Sequence, residues 1–531
     1  MMIRRTLFAY AAIMFFLIIS IMGTASAALG GTAYTEIVGR QSMYTVSVAT
    51  MRGTIYDRNL EPLTNSGEKL VAAVVPNVDS VARLYAATDG EKREELRLAL
   101  ESEKPFLIEV NTPISDENIE TFTVYDRYEE AQPAANLIGY LQNEHGADGI
   151  EWSYDAALSG KAGHIDVTFA IDAAGGAISG EAMRIENDYI MSDGGIVLTL
   201  DRAIQIAVEE ACSEIERGAA VVLDTKSGAV LASASFPAVD PDNLAANLED
   251  ENAPFLNRAM SCYTPGSVFK LFAAAAALEN GYDYRAVYTC EGRIDVDGME
   301  FSCYNNTAHG EVNMHTALRK SCNGYFIHLL QEIGPEPVLE MLRKVGFGTS
   351  LELASNLTTD TGSLSSETEL QYLRALANFS FGQGDTTISP VQLAAAVNAI
   401  ASGGVYTRPF VYLGIADVNL ETIRGELPEG EKVMEVTTAN RIIAYMKSTA
   451  RYGTARFGAP QNCTSGIKTG TAQTGIYNED GEEVLNYWYA GFICDQTETP
   501  KYTVVLLEES AGQSHTAAAF KKIGEFLGDF I

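Results

Sequence analysis

Basic residues are scarce in this 531-residue chain. It has 37 Lys and Arg against 70 Asp and Glu, so its formal net charge is -33 at pH 7. Such an acidic chain repels phosphate backbones, which argues against nucleic acid as a partner. The composition is otherwise globular, with 47% apolar and 20% charged residues. A chain of this length has room for roughly two to four domains.

Metal-binding patterns are also missing. The seven cysteines and six histidines form no CxxC, no HExxH and no His/Cys spacing typical of a metal site, so we expect no metal. Seven cysteines are too few for a disulfide scaffold at this length. Cys290 and Cys303 flank EGRIDVDGMEFS, which predicts a hairpin with an Asp-Gly turn. These two cysteines either pair outside the cell or remain free buried thiols.

Only one long apolar run occurs, LFAYAAIMFFLIISIMG at residues 7–23. No charged residue appears from Thr6 to Thr35. With its flanks the run reaches the roughly 20 residues that span a bilayer. The sequence therefore predicts a single transmembrane anchor at residues 6–28.

The flanks of this run predict its orientation. Arg4 and Arg5 precede it, so residues 1–5 are expected in the cytoplasm and the rest of the chain outside. A cleaved signal peptide is the alternative, because Ala25-Ser26-Ala27 fits an A-x-A cleavage site. Either interpretation exports the body of the protein.

The remaining chain divides by its pattern. Residues 34–200 are mixed and rich in strand-like alternation, and a boundary is predicted near GGIVLTLDRAIQ, where a strand leads into a helix reaching about Ile215. Residues 201–531 then predict two strands, a largely helical middle, three strands and a closing helix. This order predicts an α+β fold in which helices pack on one antiparallel sheet.

Three Ser-x-x-Lys patterns occur, at Ser66, Ser267 and Ser465. Only the second follows Pro-Gly and starts an alanine-rich helical segment, which ends at Asn280-Gly281. Ser267 and Lys270 would share one helix face, beside the N–H groups of a helix N-terminus. Apolar sequence neighbours of Lys270 favour a lowered pKa. Ser267 is thus a candidate nucleophile and Lys270 its base; the alternative is an ordinary helix start with a solvated lysine.

A Lys-Thr-Gly pattern lies inside a predicted strand. Alternation places Lys468 and Gly470 on one face and Thr469 and Thr471 on the other. A small residue at position 470 lets a ligand lie close to the strand. Lys468 is predicted to bind a carboxylate. The similar Lys226-Ser227-Gly228 predicts only a hairpin turn.

Ser321-Cys322-Asn323 gives a Ser-x-Asn pattern after a predicted turn and helix. Ser321 is a candidate proton shuttle, and Asn323 offers a donor and an acceptor to a substrate amide. The alternative is an ordinary polar helix segment. Ser321 and Lys468 follow Ser267 by 54 and 201 residues, on predicted turn and strand.

The three patterns in this order are a known signature of penicillin-binding proteins and serine β-lactamases. The chain resembles the class B penicillin-binding proteins, the monofunctional peptidoglycan D,D-transpeptidases. RGTIYDRNLEPLT (52–64) resembles a family box, from which Leu60 and Thr64 depart, and GIEWSYDAALSGKAG, FGQGDTTISPVQLAAAVNAIASGG and WYAGF resemble later blocks. Val268 and Cys322 replace the usual threonine and serine, and both side chains are expected to point away from the reaction.

The resemblance implies a penicillin-binding (transpeptidase) fold, with a sheet of about five antiparallel strands between helices. It implies a strand-rich pedestal domain of the dimerisation type at residues 34–200 and a transpeptidase domain at 201–531. The substrates implied for this protein are peptidoglycan stem peptides, which it would crosslink through a serine acyl-enzyme with release of D-Ala, and β-lactams would inhibit it.

The resemblance implies no cofactor. The implied partner is a SEDS-type membrane glycosyltransferase, which contacts residues 7–28 and the pedestal around Arg52 to Asp57. Alternatively, Arg52, Asp57 and Arg58 form an internal group of salt bridges that only holds the pedestal together.

The same resemblance assigns roles to residues. Catalysis falls to Ser267, Lys270 and Ser321, and an oxyanion hole to the backbone N–H groups of Ser267 and Thr471. Substrate binding falls to Asn323, Lys468, Thr469, Gly470 and Thr471. The alternative functions are a membrane-anchored β-lactam sensor, an inactive cell-wall scaffold, and a carboxypeptidase or β-lactamase.

Overall fold

The structure, a computed structural model, describes residues 2–41, 43–102, 104–160, 163–172, 178, 182–189, 194–478 and 481–531. The chain forms two compact units. The first comprises Met1–Arg52, Gly67–Arg127 and Ala162–Met191, and the second Gly53–Ser66, Tyr128–Lys161 and Ser192–Ile531.

The first unit begins with one long helix, Met2–Gln41. Its segment Thr6–Ser26 is long and apolar enough to cross a membrane and none of it is buried. Large apolar side chains such as Phe8, Phe15 and Ile21 are exposed along it. These are the properties expected of a bilayer-spanning helix.

Two antiparallel sheets form the rest of the first unit. The elements are strands Met43–Met51, Gly163–Ala170 and Arg184–Asn187 in one sheet, strands Phe106–Val110, Gly67–Val74, Ile119–Asp126 and Ser115–Asp116 in the other, and helices Val78–Ala87 and Gly90–Glu101. Successive residues of a strand point to opposite faces. Accordingly Val71 and Ala73 pack toward the three-stranded sheet, and Ala72 and Val74 toward the helices.

A five-stranded antiparallel sheet, here called the central sheet, organises the second unit. Its strands lie in the order Val230–Phe236, Gly218–Asp224, Pro500–Ala511, Glu483–Cys494 and Ser465–Tyr477. The two strands, helical middle, three strands and closing helix predicted from the sequence are confirmed. The helix that was predicted to reach about Ile215 is shorter than expected, because it spans only Arg202–Ala211.

Both faces of the central sheet are covered. Val504 and Leu506 face helices Arg202–Ala211 and Thr516–Gly528, whereas Val505 and Leu507 face the helical middle. The other helices are Ala135–Ile138, Gly149–Ser153, Asp155–Ser159, Leu244–Glu249, Lys270–Glu279, Met314–Lys320, Asn323–Ile333, Glu336–Lys344, Leu373–Phe379, Pro390–Ala401 and Val436–Tyr452, with short 3-10 turns at Gly266–Phe269, Tyr304–Asn306 and Glu369–Gln371.

Smaller strand groups complete this unit. One sheet joins Thr54–Tyr56, Gly195–Leu198, Tyr412–Ala416 and Thr422–Arg424. Strand pairs are Leu141–Gln142 with His145–Gly146, Tyr288–Cys290 with Gly310–Val312, Arg293–Val296 with Met299–Ser302, Glu352–Ala354 with Leu357–Thr358, and Val405–Tyr406 with Glu431–Lys432. The predicted hairpin between Cys290 and Cys303 is therefore present, with Asp297-Gly298 at its turn.

The RGTIYDR segment has a structural role at Asp57. This carboxylate is fully buried and accepts backbone N–H bonds from Asn59, Glu61 and Arg202 at 2.7, 2.9 and 3.0 Å. Arg52 is also buried. Because neither side chain is exposed, a partner that binds around Arg52 to Asp57 would contact neighbouring residues, and this contact stays a prediction.

Candidate active site

Ser267 lies on a tight turn that leads into a buried helix. The 3-10 turn Gly266–Phe269 continues directly into Lys270–Glu279, which ends at Asn280 as predicted. Gly266 has a φ of 54°, and a Cβ there would lie 2.6 Å from the carbonyl oxygen of Thr471. Only glycine fits this close approach. The indole Nε1 of Trp488 donates to the Thr264 carbonyl at 2.9 Å and fixes the preceding segment.

Lys270 joins the predicted site residues. Its Nζ lies 3.1 Å from Ser267 Oγ, 3.0 Å from the Ser321 carbonyl oxygen and 2.5 Å from Asn323 Oδ1. The side chain is fully buried. Burial lowers the pKa of Lys270 to about 8. A lysine with such a pKa is suited to take a proton from a nearby hydroxyl near neutral pH.

Ser321 owes its position to an unusual backbone conformation. It ends helix Met314–Lys320 in the left-handed region, with φ 55° and ψ 41°. This conformation is costly for a residue with a side chain and clusters at functional sites. It turns the chain so that Ser321 Oγ lies 3.0 Å from Lys468 Nζ and 3.4 Å from Lys270 Nζ.

Asn323 starts helix Asn323–Ile333 and uses both ends of its amide within the protein. Oδ1 accepts from Lys270, and Nδ2 donates to the Ser302 carbonyl oxygen at 2.8 Å. Its predicted contact with a substrate amide stays a prediction. The observed bonds hold the side chain between the lysine and the hairpin.

Lys468 is buried rather than displayed to solvent. Its Nζ donates to Ser321 Oγ and, at 2.6 Å, to the Thr469 carbonyl oxygen. Burial first, and the nearby charge of Lys270 second, hold the pKa of Lys468 well below its usual range. Two buried ammonium groups flanking one hydroxyl repel each other, which favours a neutral amine at one of them.

The alternation predicted for the Lys-Thr-Gly strand is present. Thr469 and Thr471 line the cleft, and Thr469 Oγ1 lies 2.9 Å from Thr454 Oγ1. Gly470 points the other way, where a Cβ would lie 2.9 Å from Val268 Cγ2 and 3.0 Å from the Pro265 carbonyl oxygen. The need for glycine here therefore comes from the Ser267 segment and not, as expected from sequence, from an approaching ligand.

These residues border one cleft of about 690 Å³. Ser267, Ser321 and Asn323 lie along it with Thr469 and Thr471, whereas the two lysines lie beneath. Sequence reasoning missed other residues that line it. They include Tyr304, His309, Lys320, Phe381, Gln383, Thr454, Gln473 and Glu483. Phe381 and Gln383 lie in the FGQG block quoted above, but no pattern assigned any of these residues to the cleft, because they come from elements distant in sequence.

Sequence reasoning also missed a cluster beside the cleft. Cys290, Cys303, Cys322 and His309 place one ligand atom each within 4.8 Å of one another. The sequence shows no His/Cys spacing typical of a metal site, yet the fold brings these four side chains together. The spacing of the cluster, C-x12-C-x5-H-x12-C, matches no common motif, and strand pairing rather than sequence proximity brings it together. All seven cysteines are free thiols in this structure.

Comparison with known families gives one match, to the penicillin binding protein transpeptidase domain over residues 218–525. Stage V sporulation protein D of Bacillus subtilis is 28% identical over 480 residues, covering 83% of this chain and 71% of that protein. Peptidoglycan D,D-transpeptidase PbpA of Mycolicibacterium smegmatis is 26% identical over 419 residues, covering 73% of this chain and 80% of that protein.

Solved structures share the fold. The D,D-transpeptidase domain of a peptidoglycan glycosyltransferase from Eggerthella lenta has a TM-score of 0.66 at 22% identity, covering 90% of this chain and 98% of that one. A chain of a peptidoglycan synthase complex that coordinates polymerisation and crosslinking has a TM-score of 0.67 at 24% identity, with 96% of both chains covered.

Proposed function

The chain belongs to the penicillin-binding protein transpeptidase family as a class B member, and on this premise we propose that it crosslinks peptidoglycan. It is a serine-type D,D-transpeptidase that acts on stem peptides ending in D-Ala-D-Ala. β-Lactams acylate the same serine. The observation that carries this function is the Ser267–Lys270 pair, 3.1 Å apart at the edge of the cleft, with the lysine fully buried.

Acylation begins at Ser267. Its Oγ attacks the carbonyl carbon of the penultimate D-Ala while Lys270 takes the hydroxyl proton. The backbone N–H groups of Ser267 and Thr471 receive the oxyanion, a role supported by the close approach of Gly266 to the Thr471 backbone. Losing one such donor typically costs about 10²–10³ in rate.

The leaving group and acceptor then use the same proton path. The C–N bond breaks, and Ser321 relays a proton to the amine of the departing D-Ala. An amine of a neighbouring stem attacks the ester, and Ser267 regains its proton. Ser321 suits this relay because its Oγ lies between Lys270 and Lys468.

Substrate binding falls to the strand that carries Lys468. We assign the terminal carboxylate of the stem peptide to Lys468 acting with the Thr469 and Thr471 hydroxyls. The two hydroxyls line the cleft. Lys468 lies beneath them, with its Nζ bonded to the Thr469 carbonyl oxygen and to Ser321 Oγ. It acts as the cation when Lys270 is the neutral amine of the pair, which is also the state in which Lys270 takes the Ser267 proton. Gly470 keeps the strand close to the Ser267 segment, and Asn323 orients the substrate amide.

A substrate assay tests the function directly. The full chain in nonionic detergent is given a stem pentapeptide and an excess of an amine acceptor, and released D-Ala and the aminolysis product are measured. We expect both products, none from Ser267→Ala, and unchanged rates from Ser66→Ala, which alters another Ser-x-x-Lys pattern. Persistent D-Ala release by Ser267→Ala, or hydrolysis in place of aminolysis, contradicts the proposal.

The location follows from the anchor. We propose that the apolar segment at residues 6–28 anchors the protein in the membrane as a single span. Residues 1–5 are then cytoplasmic and the catalytic part extracytoplasmic, with a pedestal at 34–200 and a transpeptidase domain at 201–531. Two arginines before the apolar segment support this orientation. A cysteine-accessibility assay that labels the transpeptidase part from the cytoplasmic side would contradict it.

A crosslinking enzyme needs nascent glycan strands beside it. We propose that its synthase partner is a SEDS-type membrane glycosyltransferase and that the anchor, residues 7–28, contacts it. The exposed apolar side chains of this helix support a contact within the membrane. Replacing residues 7–28 with an unrelated span of equal length is expected to abolish co-purification of the glycosyltransferase; retained co-purification and crosslinking would reduce the anchor to a tether.

A further inference from the structure

Four metal-binding side chains converge in what we call the cysteine region, residues 288–323. Cys290 Sγ lies 3.7 Å from Cys303 Sγ and 3.6 Å from His309 Nδ1, and Cys303 Sγ lies 3.9 Å from Cys322 Sγ. The three cysteines are buried and His309 is half-buried. No other described residue in this region offers a thiol.

These three distances match three of the six edges of a zinc tetrahedron, and the other three pairs of ligand atoms lie within 4.8 Å of each other. With Zn–S bonds of about 2.3 Å and Zn–N bonds of about 2.0–2.1 Å, tetrahedral angles separate two sulfurs by about 3.8 Å and a sulfur from a nitrogen by about 3.5 Å. A disulfide between Cys290 and Cys303 would need sulfurs at about 2.0 Å and would leave Cys322 and His309 unexplained. We infer that Cys290, Cys303, His309 and Cys322 bind one Zn²⁺ ion in a Cys₃His site.

The local fold brings the four ligands together. Cys290 is paired with Gly310 across two short strands, which places His309 next to it. The Cys303 N–H donates to the Gly292 carbonyl at 2.9 Å. A Cβ on Gly292 would lie 2.4 Å from the Asn306 carbonyl oxygen, so this loop folds tightly back on itself.

The surroundings suit a thiolate site. The Tyr325 N–H is directed at Cys322 Sγ at 3.5 Å, and such hydrogen bonds orient metal-binding groups. Three thiolates and one neutral imidazole leave a bound Zn²⁺ with one excess negative charge. Lys320, whose Nζ donates to the His309 carbonyl oxygen at 2.9 Å, provides a nearby cation. Cys303 and His309 also border the cleft, which gives the ion a route in.

The metal would hold one side of the cleft. Cys322 lies between Ser321 and Asn323, and Asn323 Nδ2 is bonded to the carbonyl of Ser302, the residue before Cys303. Fixing Cys303 and Cys322 on one ion therefore fixes the hairpin end relative to Asn323. This consequence rests on the proposed function, whereas the metal binding itself does not.

The test measures metal on the full chain purified in nonionic detergent with reductant and without chelator. Mass spectrometry of metals is expected to give about one zinc per chain, as for a closed structural site. Replacement by Co²⁺ is expected to give thiolate-to-cobalt charge-transfer bands and the intense d–d bands of tetrahedral cobalt. Cys290→Ser and His309→Gln are expected to lose the zinc, and Cys463→Ser, which alters a thiol outside the region, to keep it.

Three results would overturn the inference. They are a wild-type chain without zinc and without cobalt–thiolate bands, equal zinc in wild type and both ligand variants, and a Cys290–Cys303 disulfide in the peptide map of chain alkylated in the cells and purified without reductant. The wild-type cobalt spectrum does not depend on whether a variant folds. Zinc binding without acylation of Ser267 by penicillin would support the metal site and contradict the proposed function. Acylation of Ser267 without zinc binding would support the proposed function and contradict the metal site.

Discussion

The segment that carries Ser267 is surrounded by large apolar groups, whereas the hairpin of the cysteine region, Arg293–Val296 with Met299–Ser302, contacts only a small apolar cluster. Helix Lys270–Glu279 is buried from Lys270 to Ala277, and Phe272 meets Phe347 edge to face at 5.4 Å. The hairpin of the cysteine region rests on a small cluster, chiefly Val296, Phe301, Ile327 and Ala377.

The two regions position their reacting groups in different ways, one by close packing and the other by a few hydrogen bonds. Close packing fixes a segment through many non-directional contacts and responds to changes in volume. The cysteine region holds Asn323 through a few directional contacts, such as its bond to the Ser302 carbonyl. We therefore expect the packed side to respond most to side-chain size and the cysteine region most to metal and oxidation state.

The largest effect is expected at the base itself. Lys270→Met keeps the side-chain length but removes the proton acceptor, so acylation by penicillin should slow about 10²–10⁴-fold. Lys468→Met leaves the base and removes a contact to Ser321. It should slow acylation less, about 10–200-fold for a charge-assisted hydrogen bond of 1.5–3 kcal/mol. Stopped-flow measurement of the acylation rate shows which variant is slower. Equal decreases in rate for the two variants would contradict these separate roles.

Replacing a buried phenylalanine by alanine compares how much apolar packing stabilises the Ser267 segment and the hairpin of the cysteine region. Phe272→Ala should lower the free energy of unfolding by about 3–5 kcal/mol, because the large apolar site cannot refill. Phe301→Ala removes the same side chain from the smaller hairpin cluster and should cost less, about 0.5–3 kcal/mol. Thermal and urea unfolding of the full chain measure both. A larger loss for Phe301→Ala would reverse the comparison.

A larger side chain at position 470 tests the close packing around the Ser267 segment without altering a reacting group. Gly470→Val forces atoms against Val268 and the Pro265 carbonyl, which displaces the Ser267 segment. A shift of about 1 Å can cost about 10²-fold in rate, so acylation should fall by this order. Gly512→Ala is the control, since no atom lies within 4 Å of its added Cβ. Normal acylation by Gly470→Val would contradict tight packing here.

The smallest effect is expected at a charged pair near the end of the middle strand of the central sheet, Pro500–Ala511. The hydrogen bond to Glu508, 2.7 Å from His515 Nδ1, raises the pKa of His515 above 6.5. Protonated His515 thus stabilises the fold fully below pH 6.5, and the contribution is lost as pH rises through the raised folded pKa. His515 is 37% exposed, so His515→Gln should cost no more than about 1 kcal/mol at pH 6 and less at pH 9. A pH-independent cost would contradict the pairing.

Elements with strong local signals were predictable from the sequence. The alanine-rich helix after Ser267, the hairpin at Asp297-Gly298 and the closing strands follow from periodicity and turn residues. The proximity of Ser267, Lys270, Ser321 and Lys468 was anticipated through the order of three known patterns.

Features that depend on tertiary approach were not predictable. Gly470 is required by Val268 and Pro265, which lie about two hundred residues earlier in the chain. The burial of Lys468 depends on the segments packed over its strand. The cysteine cluster depends on the pairing of Cys290 with Gly310, and no spacing rule reports such a contact.

Peptide mass mapping of the penicillin adduct tests the central claim most directly. The full chain is incubated with penicillin, washed, digested and analysed over time. The geometry predicts a long-lived acyl group on Ser267 alone, because only this serine of the three Ser-x-x-Lys patterns lies 3.1 Å from a buried lysine beside the cleft. An adduct on Ser66 or Ser465, or one lost within seconds by hydrolysis, would contradict it.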